Sequence, residues 1–344
     1  MRVSLIATIA TATTLGGYGL AQAPRHLNSM IDLHAARKPV FGLYAPSNPR
    51  PGRGGPAGET PTASSAPSMA AALPAAAVTP ARKTPAELAR DALAQPQVDF
   101  IFDGSMEHDF DRGYSSFAAF AQGIAAARSR GPDGRLRPPL VAKTPEVAPD
   151  TALAKQRIAR QLDLGVTTIV FVGVENPNEL RTGFAAMRYQ SKGGTRPDGV
   201  GTAPALWGVG EREYRERADL WPLNPRGDLT GWAVVESHEG LRHVREIAAV
   251  RGLAVLFPGA GTLRGVFTTV DSTTKERKFD AAGWEAAIQQ VLAACKEYHV
   301  PCGYPANDPQ TVEARMKQGF SVFIAGWGDS GFQAVEYGRK ASGR

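Results

Sequence analysis

The chain has 344 residues, of which 43% are hydrophobic and 21% are charged, and its formal net charge at pH 7 is +6. This length and composition suffice for one large barrel domain or for two ordinary domains. The basic residues are scattered along the sequence, which excludes the basic stripe of a nucleic-acid-binding protein and the polybasic patch of a membrane-surface protein.

The first 23 residues have the pattern of a secretory signal peptide. Met1-Arg2 is a short positive start, residues 3–20 are uncharged and rich in apolar and small residues, and Ala21-Gln22-Ala23 offers an A-x-A cleavage site. Because Pro24 follows directly, cleavage after Ala21 is an alternative. Gly, Ala and Thr outnumber Leu in this stretch, which favours a removed signal over a permanent anchor. We therefore expect an exported, periplasmic protein with no later membrane span.

Short apolar runs alternate with helical segments along the rest of the chain. Most of the runs are apolar on both faces, as expected for buried parallel strands. The predicted strands are Pro39–Ala45, Val98–Asp103, Pro139–Lys143, Thr167–Gly173, Thr230–Glu236, Leu253–Pro258, Pro301–Tyr304 and Ser321–Ala325. Eight strands with intervening helices predict an α/β protein, a (β/α)₈ TIM barrel that forms a single domain over residues 24–344. An open doubly wound sheet is the alternative, although no Gly-rich dinucleotide turn follows the first strand.

Several helix ends are marked by capping residues. Thr84-Pro85-Ala86-Glu87 and Asn176-Pro177-Asn178-Glu179 each combine a capping residue, a proline at the first helical position and a glutamate three residues after the cap. Asp308-Pro309 begins another helix, and Gly252 is placed to end the helix that runs through Ala248-Ala249.

Residues 47–81 interrupt this regular pattern. The segment is rich in Gly, Pro, Ala and Ser and has almost no aromatic or large aliphatic residues, so it cannot bury enough surface to fold by itself. We expect a disordered loop insertion within the domain. Because it follows the first strand, it would lie on the rim of a barrel's active site, either as a lid or without a role.

Cys295 and Cys302 are the two cysteines of the chain. In an oxidising compartment they would pair as a disulfide across a helix-to-strand loop. As an equal alternative they stay reduced and pack as small buried hydrophobic residues. Two thiols with only His299 beside them do not make a zinc site.

Polar residues follow several of the predicted strands, and in a TIM barrel the chemistry lies at the carboxyl ends of the strands. The second strand runs into residues 103–111 (DGSMEHDFD), the third ends in Lys143-Thr144-Pro145, and the fifth ends in Glu236. The sixth leads into residues 259–263 (GAGTL), and residues 161–165 (QLDLG) precede the fourth.

The order and spacing of these five segments resemble the HpcH/HpaI aldolase/citrate lyase family, which are pyruvate-aldolase-like TIM barrels of class II. The likeness covers most of the chain beyond Arg37. It implies that a divalent metal, Mg²⁺ or Mn²⁺, is held by a Glu and an Asp and stabilises an enolate as a Lewis acid. It also implies a His that transfers a proton, often coupled to an Asp, and an Arg near the substrate carbonyl.

Each role is carried to the residue that matches it in this sequence. The resemblance implies that His108 transfers the proton with Asp163 as its partner, and that Glu236 is a metal ligand. The backbone amides around Gly261 and Thr262 would face the substrate carboxylate, as turns after strands commonly do for anions.

Two positions depart from the family pattern. Lys143 stands where the family has an Arg, so the catalytic charge is kept but a bidentate clamp is lost. Thr262 stands where the family has the second metal-binding Asp, which should weaken metal binding because anionic oxygen ligands supply most of the attraction. An enzyme of altered chemistry that recruits Asp271 or Glu239 as a substitute ligand is a further alternative.

We therefore expect a carbon–carbon lyase, an aldolase that cleaves a 2-keto-4-hydroxy acid or a related substrate to pyruvate, or a similar keto acid, and an aldehyde. Its partner would be that small keto acid, with no nucleic acid and no membrane once the signal is removed, and the chain would form a homo-oligomer. Two alternatives stay open: a non-catalytic small-molecule-binding barrel with a degraded metal site, and a metal-independent aldolase in which Lys143 forms a Schiff base.

Overall fold

The computed structural model describes residues 25–48, 82–127, 130–131 and 133–344. The predicted signal peptide, residues 1–23, lies outside these residues, as does most of the predicted insertion at residues 47–81, so both stay predictions. Among the described residues, none of the helices combines the length and the apolar character that a membrane crossing requires.

Parallel strands form the centre of the fold. In chain order the strands are β1 (Val40–Tyr44), β2 (Phe100–Asp103), β3 (Leu140–Thr144), β4 (Thr168–Phe171), β5 (Leu220–Trp221), β6 (Leu229–Val235), β7 (Leu253–Pro258), β8 (Thr268–Val270), β9 (Arg277–Phe279), β10 (Gly303–Pro305) and β11 (Val322–Ala325). Each of the eight predicted strands overlaps one of them. The sequence did not indicate β5, β8 or β9, which are only two or three residues long and carry little periodic signal.

The strand order is that of a curled sheet. It runs β10-β11-β1-β2-β3-β4-β6, with β7 on the other side of β6 and all of these pairs parallel. An isolated parallel bridge between Leu256 of β7 and Cys302, just before β10, joins the two ends, and the Leu256 N–H donates to the Pro301 carbonyl at 3.0 Å. The α/β class is therefore confirmed, and the fold is TIM-barrel-like. The short β5 pairs with β6, and β8 and β9 form a separate antiparallel hairpin.

Helices connect the strands. They are α1 (Ser29–Ala35), α2 (Pro85–Leu93), α3 (Phe110–Ala127), α4 (Thr151–Asp163), α5 (Pro177–Met187), α6 (Ala203–Trp207), α7 (Glu211–Arg217), α8 (His238–Arg242), α9 (Val244–Ala248), α10 (Ala260–Val266), α11 (Ala281–Glu297), α12 (Pro309–Gln318) and α13 (Asp329–Ala341), with a 3₁₀ turn at Gln190–Lys192.

The predicted helix starts are confirmed. Thr84 and Glu87 form a reciprocal capping box at the start of α2, and Asn176 and Asp308 cap α5 and α12 through their side chains. Gly252 does not itself end α9, which ends at Ala248 with Ala249 as its C-cap; with a φ of +101°, Gly252 lies in the turn before β7 in the left-handed region that favours glycine.

The core has two layers separated by the sheet. Alternate strand residues such as Val141, Val170 and Trp232 fill the inside of the barrel, and their neighbours pack outward against the helices. Because side chains alternate along a strand, Lys143 lies on the same face of β3 as Val141, and Glu236 continues the inner face of β6 beyond Trp232. The alternation therefore directs both charged residues toward the inside of the barrel at its carboxyl end.

A disulfide lies at the seam that closes the sheet. Cys295 near the end of α11 is bonded to Cys302, their Cα atoms are 5.7 Å apart, and each residue is only 2% exposed. Cys302 is also the bridge partner of Leu256 across the seam. Of the two states that the sequence left open, the structure has the disulfide.

Removing this link should destabilise the protein, because the link restricts the unfolded chain. Closing a loop of this short length is worth about 2.5 kcal/mol in the chain-entropy estimate, so reduction should lower the free energy of unfolding in urea by about that amount. The double variant Cys295→Ala/Cys302→Ala should lose at least as much, since it also leaves a small cavity. If urea unfolding of the unmutated protein is the same with and without dithiothreitol, the disulfide does not stabilise the protein.

Candidate active site at the carboxyl ends of the strands

We use the term barrel mouth for the residues at and just after the carboxyl ends of β1, β2, β3, β4, β6 and β7: Tyr44, 103–108, 143–146, 173–175, 236 and 259. An ion pair lies on one side of it. Lys143 Nζ, at the end of β3, donates to Glu107 Oε2 at 2.8 Å, and the two side chains are 18% and 16% exposed. This partly buried pair fixes a positive charge at the mouth, between β3 and the turn after β2.

Two further groups border the Lys143–Glu107 pair. Burial raises the pKa of the Tyr44 hydroxyl, against the opposing effect of the nearby Lys143 charge. Burial also raises the pKa of Asp103, whose Oδ1 accepts from the Ser105 N–H at 2.9 Å and from the Ser105 hydroxyl at 2.6 Å. Tyr44 thus lies near the Lys143 and Glu107 charges, and Asp103 lies on the Tyr44 side of the pair.

Glu236 lies across the mouth, directly after β6. Its Oε1 accepts from the Gly173 N–H at 2.9 Å, just beyond the end of β4. On its other side, a Cβ added to Gly259 would lie 2.4 Å from Glu236 Cβ and 2.6 Å from Oε2. The half-buried carboxylate therefore occupies space that is open only because the residue after β7 is a glycine.

Glu146 brings a second carboxylate to the same glycine. Gly173 has a φ of +58°, and a Cβ built on it would lie 2.7 Å from Glu146 Oε1. Glu146 is exposed, but partial desolvation by its neighbours raises its pKa, and the negative charges of Glu236, Glu175 and Glu107 raise it further. Sequence reasoning missed Glu146, although it comes only three residues after Lys143 in the loop that follows β3.

The charge of the mouth is mostly negative. Glu107, Glu146, Glu175 and Glu236 face one ammonium group, Lys143, and the Glu175 carboxylate accepts from the Ser237 hydroxyl at 2.7 Å. Such a field attracts cations. In the part of the chain that the structure describes, no group of three or more His, Cys, Asp and Glu residues is arranged to hold a metal ion.

The two carboxylates around Gly173 nevertheless fit a hard divalent cation. Mg²⁺ is commonly bound by one or two carboxylates, with water and substrate oxygens as its other ligands. Glu236 and Glu146 supply oxygen donors of this type, in spaces left open by Gly259 and Gly173.

The structure places His108 at the mouth and Asp163 elsewhere. The His108 side chain is 91% exposed, with Nε2 4.0 Å from Glu107 Oε2. Asp163 is the last residue of α4. In the segment between α4 and β4, the Thr167 N–H donates to the carbonyl of Leu140, which is the first residue of β3. Asp163 therefore lies at the amino edge of the sheet, where it pairs with Arg196 at 2.8 Å. Within the chain, it is not positioned as the partner of His108.

Gly261 and Thr262 lie in the first turn of α10, after β7, and both are exposed. The two proposed substitute ligands are engaged away from Glu236. Asp271 accepts from the Thr273 and Thr274 N–H groups in the β8–β9 hairpin, and Glu239 forms an ion pair with Arg242 on α8.

The Gly259 contact predicts a specific steric effect. Gly259→Ala should force the Glu236 side chain to move away from the Gly173 N–H and lower the free energy of unfolding by about 1–3 kcal/mol, because the added methyl overpacks the site. Gly265→Ala on α10 is the matched control: nothing lies within 4 Å of its added Cβ, and alanine in a helix should be neutral or stabilising. Urea unfolding of both variants measures these free energies. If Gly259→Ala and Gly265→Ala are equally stable, the close contact between Gly259 and Glu236 is contradicted.

Comparison with known proteins identifies relatives of the same type. The family model described as HpcH/HpaI aldolase/citrate lyase matches residues 146–335. A 2-dehydro-3,6-dideoxy-6-sulfogluconate aldolase of Pseudomonas putida is 26% identical over 164 residues, which are 48% of this chain and 58% of the relative. A hydroxypyruvate/pyruvate aldolase of Sagittula stellata is 27% identical over 168 residues, 49% of this chain and 60% of the relative. The matches thus span less than two thirds of these curated relatives.

Solved structures share the fold. An HpcH/HpaI aldolase/citrate lyase family protein from Burkholderia cenocepacia J2315 aligns with a TM-score of 0.59 at 20% identity, covering 91% of this chain and 97% of that one. An HpcH/HpaI aldolase from Desulfitobacterium hafniense DCB-2 aligns with a TM-score of 0.55 at 14% identity, covering 91% and 94%. Since the family model matches more than half of the 344 residues, the chain belongs to the HpcH/HpaI aldolase/citrate lyase family.

Proposed function

We propose that the protein is an aldolase that reversibly cleaves a 2-keto-4-hydroxy acid or a related compound into pyruvate, or a similar keto acid, and an aldehyde. Family membership and the names of the curated relatives, which are aldolases, support a carbon–carbon lyase. The observation that carries the proposal is the Glu236 carboxylate, held by the Gly173 N–H at the same mouth as the Lys143 ammonium. A ligand for a cation and a fixed positive charge both serve enolate chemistry.

The reaction breaks the bond between the third and fourth carbons of the substrate. The hydroxyl on the fourth carbon loses its proton and becomes the aldehyde carbonyl, while the electron pair of the broken bond passes to the keto oxygen and leaves an enolate. Protonation of the third carbon then gives the keto acid. Bound Mg²⁺ or Mn²⁺ would supply Lewis acidity that stabilises the enolate.

In this proposal, each of the residues that the family resemblance indicated has a part, except Asp163. Lys143, positioned by Glu107, offers a point charge to the oxygen on which negative charge develops. Glu236 binds the cation, and His108 takes the proton from the substrate hydroxyl. The backbone around Gly261 and Thr262 would contact the substrate carboxylate.

Two other functions are distinguishable by experiment. A Schiff-base aldolase needs Lys143 as a free amine, whereas here the amine is engaged in the ion pair with Glu107; an unmodified Lys143 after borohydride treatment with a keto acid excludes it. A non-catalytic binder is favoured by Thr262 in place of the family carboxylate. A protein that binds keto acids but releases no product would establish it.

Replacing Glu236 should abolish catalysis without unfolding the protein. With Mg²⁺ or Mn²⁺ present, pyruvate release from a panel of 2-keto-4-hydroxy acids should fall about 100-fold or more in kcat/KM for Glu236→Gln, since the variant loses an anionic ligand. Glu246→Gln, at an exposed position of α9, is the matched control and should keep the activity. An unchanged kcat/KM for pyruvate release in Glu236→Gln would contradict the proposal. So would the absence of turnover of every substrate by the unmutated protein.

We also propose that the protein is exported to the periplasm and forms a homo-oligomer. The Cys295–Cys302 disulfide supports an oxidising compartment. When the full chain is expressed in a Gram-negative bacterium, mass spectrometry of the periplasmic protein should show a new amino terminus after residue 21 or 23. Uncleaved protein confined to the cytoplasm would exclude export, and a monomer in sedimentation would exclude the oligomer.

A further inference from the structure

We infer that Glu146 supplies the second carboxylate ligand of the divalent cation at this site, in place of the aspartate that Thr262 replaces. This inference rests on the proposed function, which takes a metal from the family, and it concerns only which residue of this chain completes the site. The loop after β3 would then donate the ligand that other members donate from the turn after β7.

The β7 side of the mouth cannot provide the missing charge. Residues 259–266 (GAGTLRGV) contain no Asp or Glu, and Thr262 is exposed in the first turn of α10. The two substitute ligands that the sequence analysis named are engaged elsewhere: Glu239 pairs with Arg242, and Asp271 accepts from backbone N–H groups of its own hairpin.

Gly173 leaves room for a second carboxylate near Glu236. Glu236 Oε1 lies 2.9 Å from the Gly173 nitrogen, and Glu146 Oε1 lies 2.7 Å from the position that a Cβ of Gly173 would take. Any side chain at residue 173 would therefore displace the Glu146 carboxylate. Both carboxylates approach one glycine, which lies beyond β4, between the ends of β3 and β6.

Glu146 is also the available carboxylate among those of the mouth. Glu107 binds Lys143, Asp103 binds Ser105 and Glu175 binds Ser237. Within the described ranges, no hydrogen bond or ion pair of the Glu146 carboxylate is found, and this residue is exposed, so a hydrated cation can reach it. Two carboxylates with water and substrate oxygens satisfy Mg²⁺ or Mn²⁺.

The test is a titration of metal-free protein with Mn²⁺, in which free Mn²⁺ is measured by electron paramagnetic resonance without any substrate. Glu146→Gln and Glu236→Gln should each raise the Kd for Mn²⁺ by about tenfold or more, because each removes an anionic ligand. Glu175→Gln is the matched control: it removes a negative charge from the mouth but no ligand, so its Kd should change by less than about threefold. Circular dichroism checks that every variant is folded.

A rescue variant makes the assignment specific. In the Glu146→Gln background, Thr262→Asp restores a carboxylate at the family position and should recover Mn²⁺ affinity. Unchanged affinity in Glu146→Gln, with loss in Glu236→Gln, would overturn the role of Glu146, and so would an unmutated protein that binds no Mn²⁺ at millimolar concentration. The proposed lyase activity is tested separately by pyruvate release. A protein without that activity could still show the predicted changes in Mn²⁺ affinity.

Discussion

The hydrogen bond from the Gly173 N–H to Glu236 is the contact on which the site depends. Glu236 continues the inner face of a strand that is buried throughout, so its charge emerges next to the barrel core. A carboxylate at that depth is costly unless it is hydrogen-bonded or paired. The backbone beyond β4 supplies the donor, and the glycine after β7 leaves room for the carboxylate. Three strand ends thus combine to position one acidic group.

The space left by two glycines determines the geometry of this mouth as much as charge does. At Gly173 and Gly259 a methyl group would overlap a glutamate oxygen, so the absence of two side chains determines where two carboxylates can lie. On the other side of the mouth, Lys143 is held by a side chain instead, Glu107, and its position tolerates more adjustment than a contact with backbone. The rigid side of the site is therefore the one that would bind a cation.

Much of the fold was predictable because burial on both faces leaves a strong signal. Runs such as Leu253–Pro258 are apolar throughout, and caps such as Thr84 mark helix starts, so their positions follow from local sequence. Lys143 and Glu236 were also predictable, since strand periodicity directs them inward. Asp163 was assigned to the site by family resemblance, although a residue that precedes a strand lies at the amino edge. Glu146 depends on the conformation of a loop, which periodicity does not determine.

The charge of the mouth also bears on how an anionic substrate binds. Lys143 is the one ammonium group of the mouth and is paired with Glu107, so a keto acid would also meet the remaining carboxylates, including Glu146 and Glu236. Two like charges about 6 Å apart repel by roughly 3 kcal/mol at an effective dielectric constant of 20. A divalent cation held by these carboxylates reverses the sign of that interaction. On the proposed function, cation binding and substrate binding are therefore thermodynamically coupled, and each should strengthen the other by the same factor.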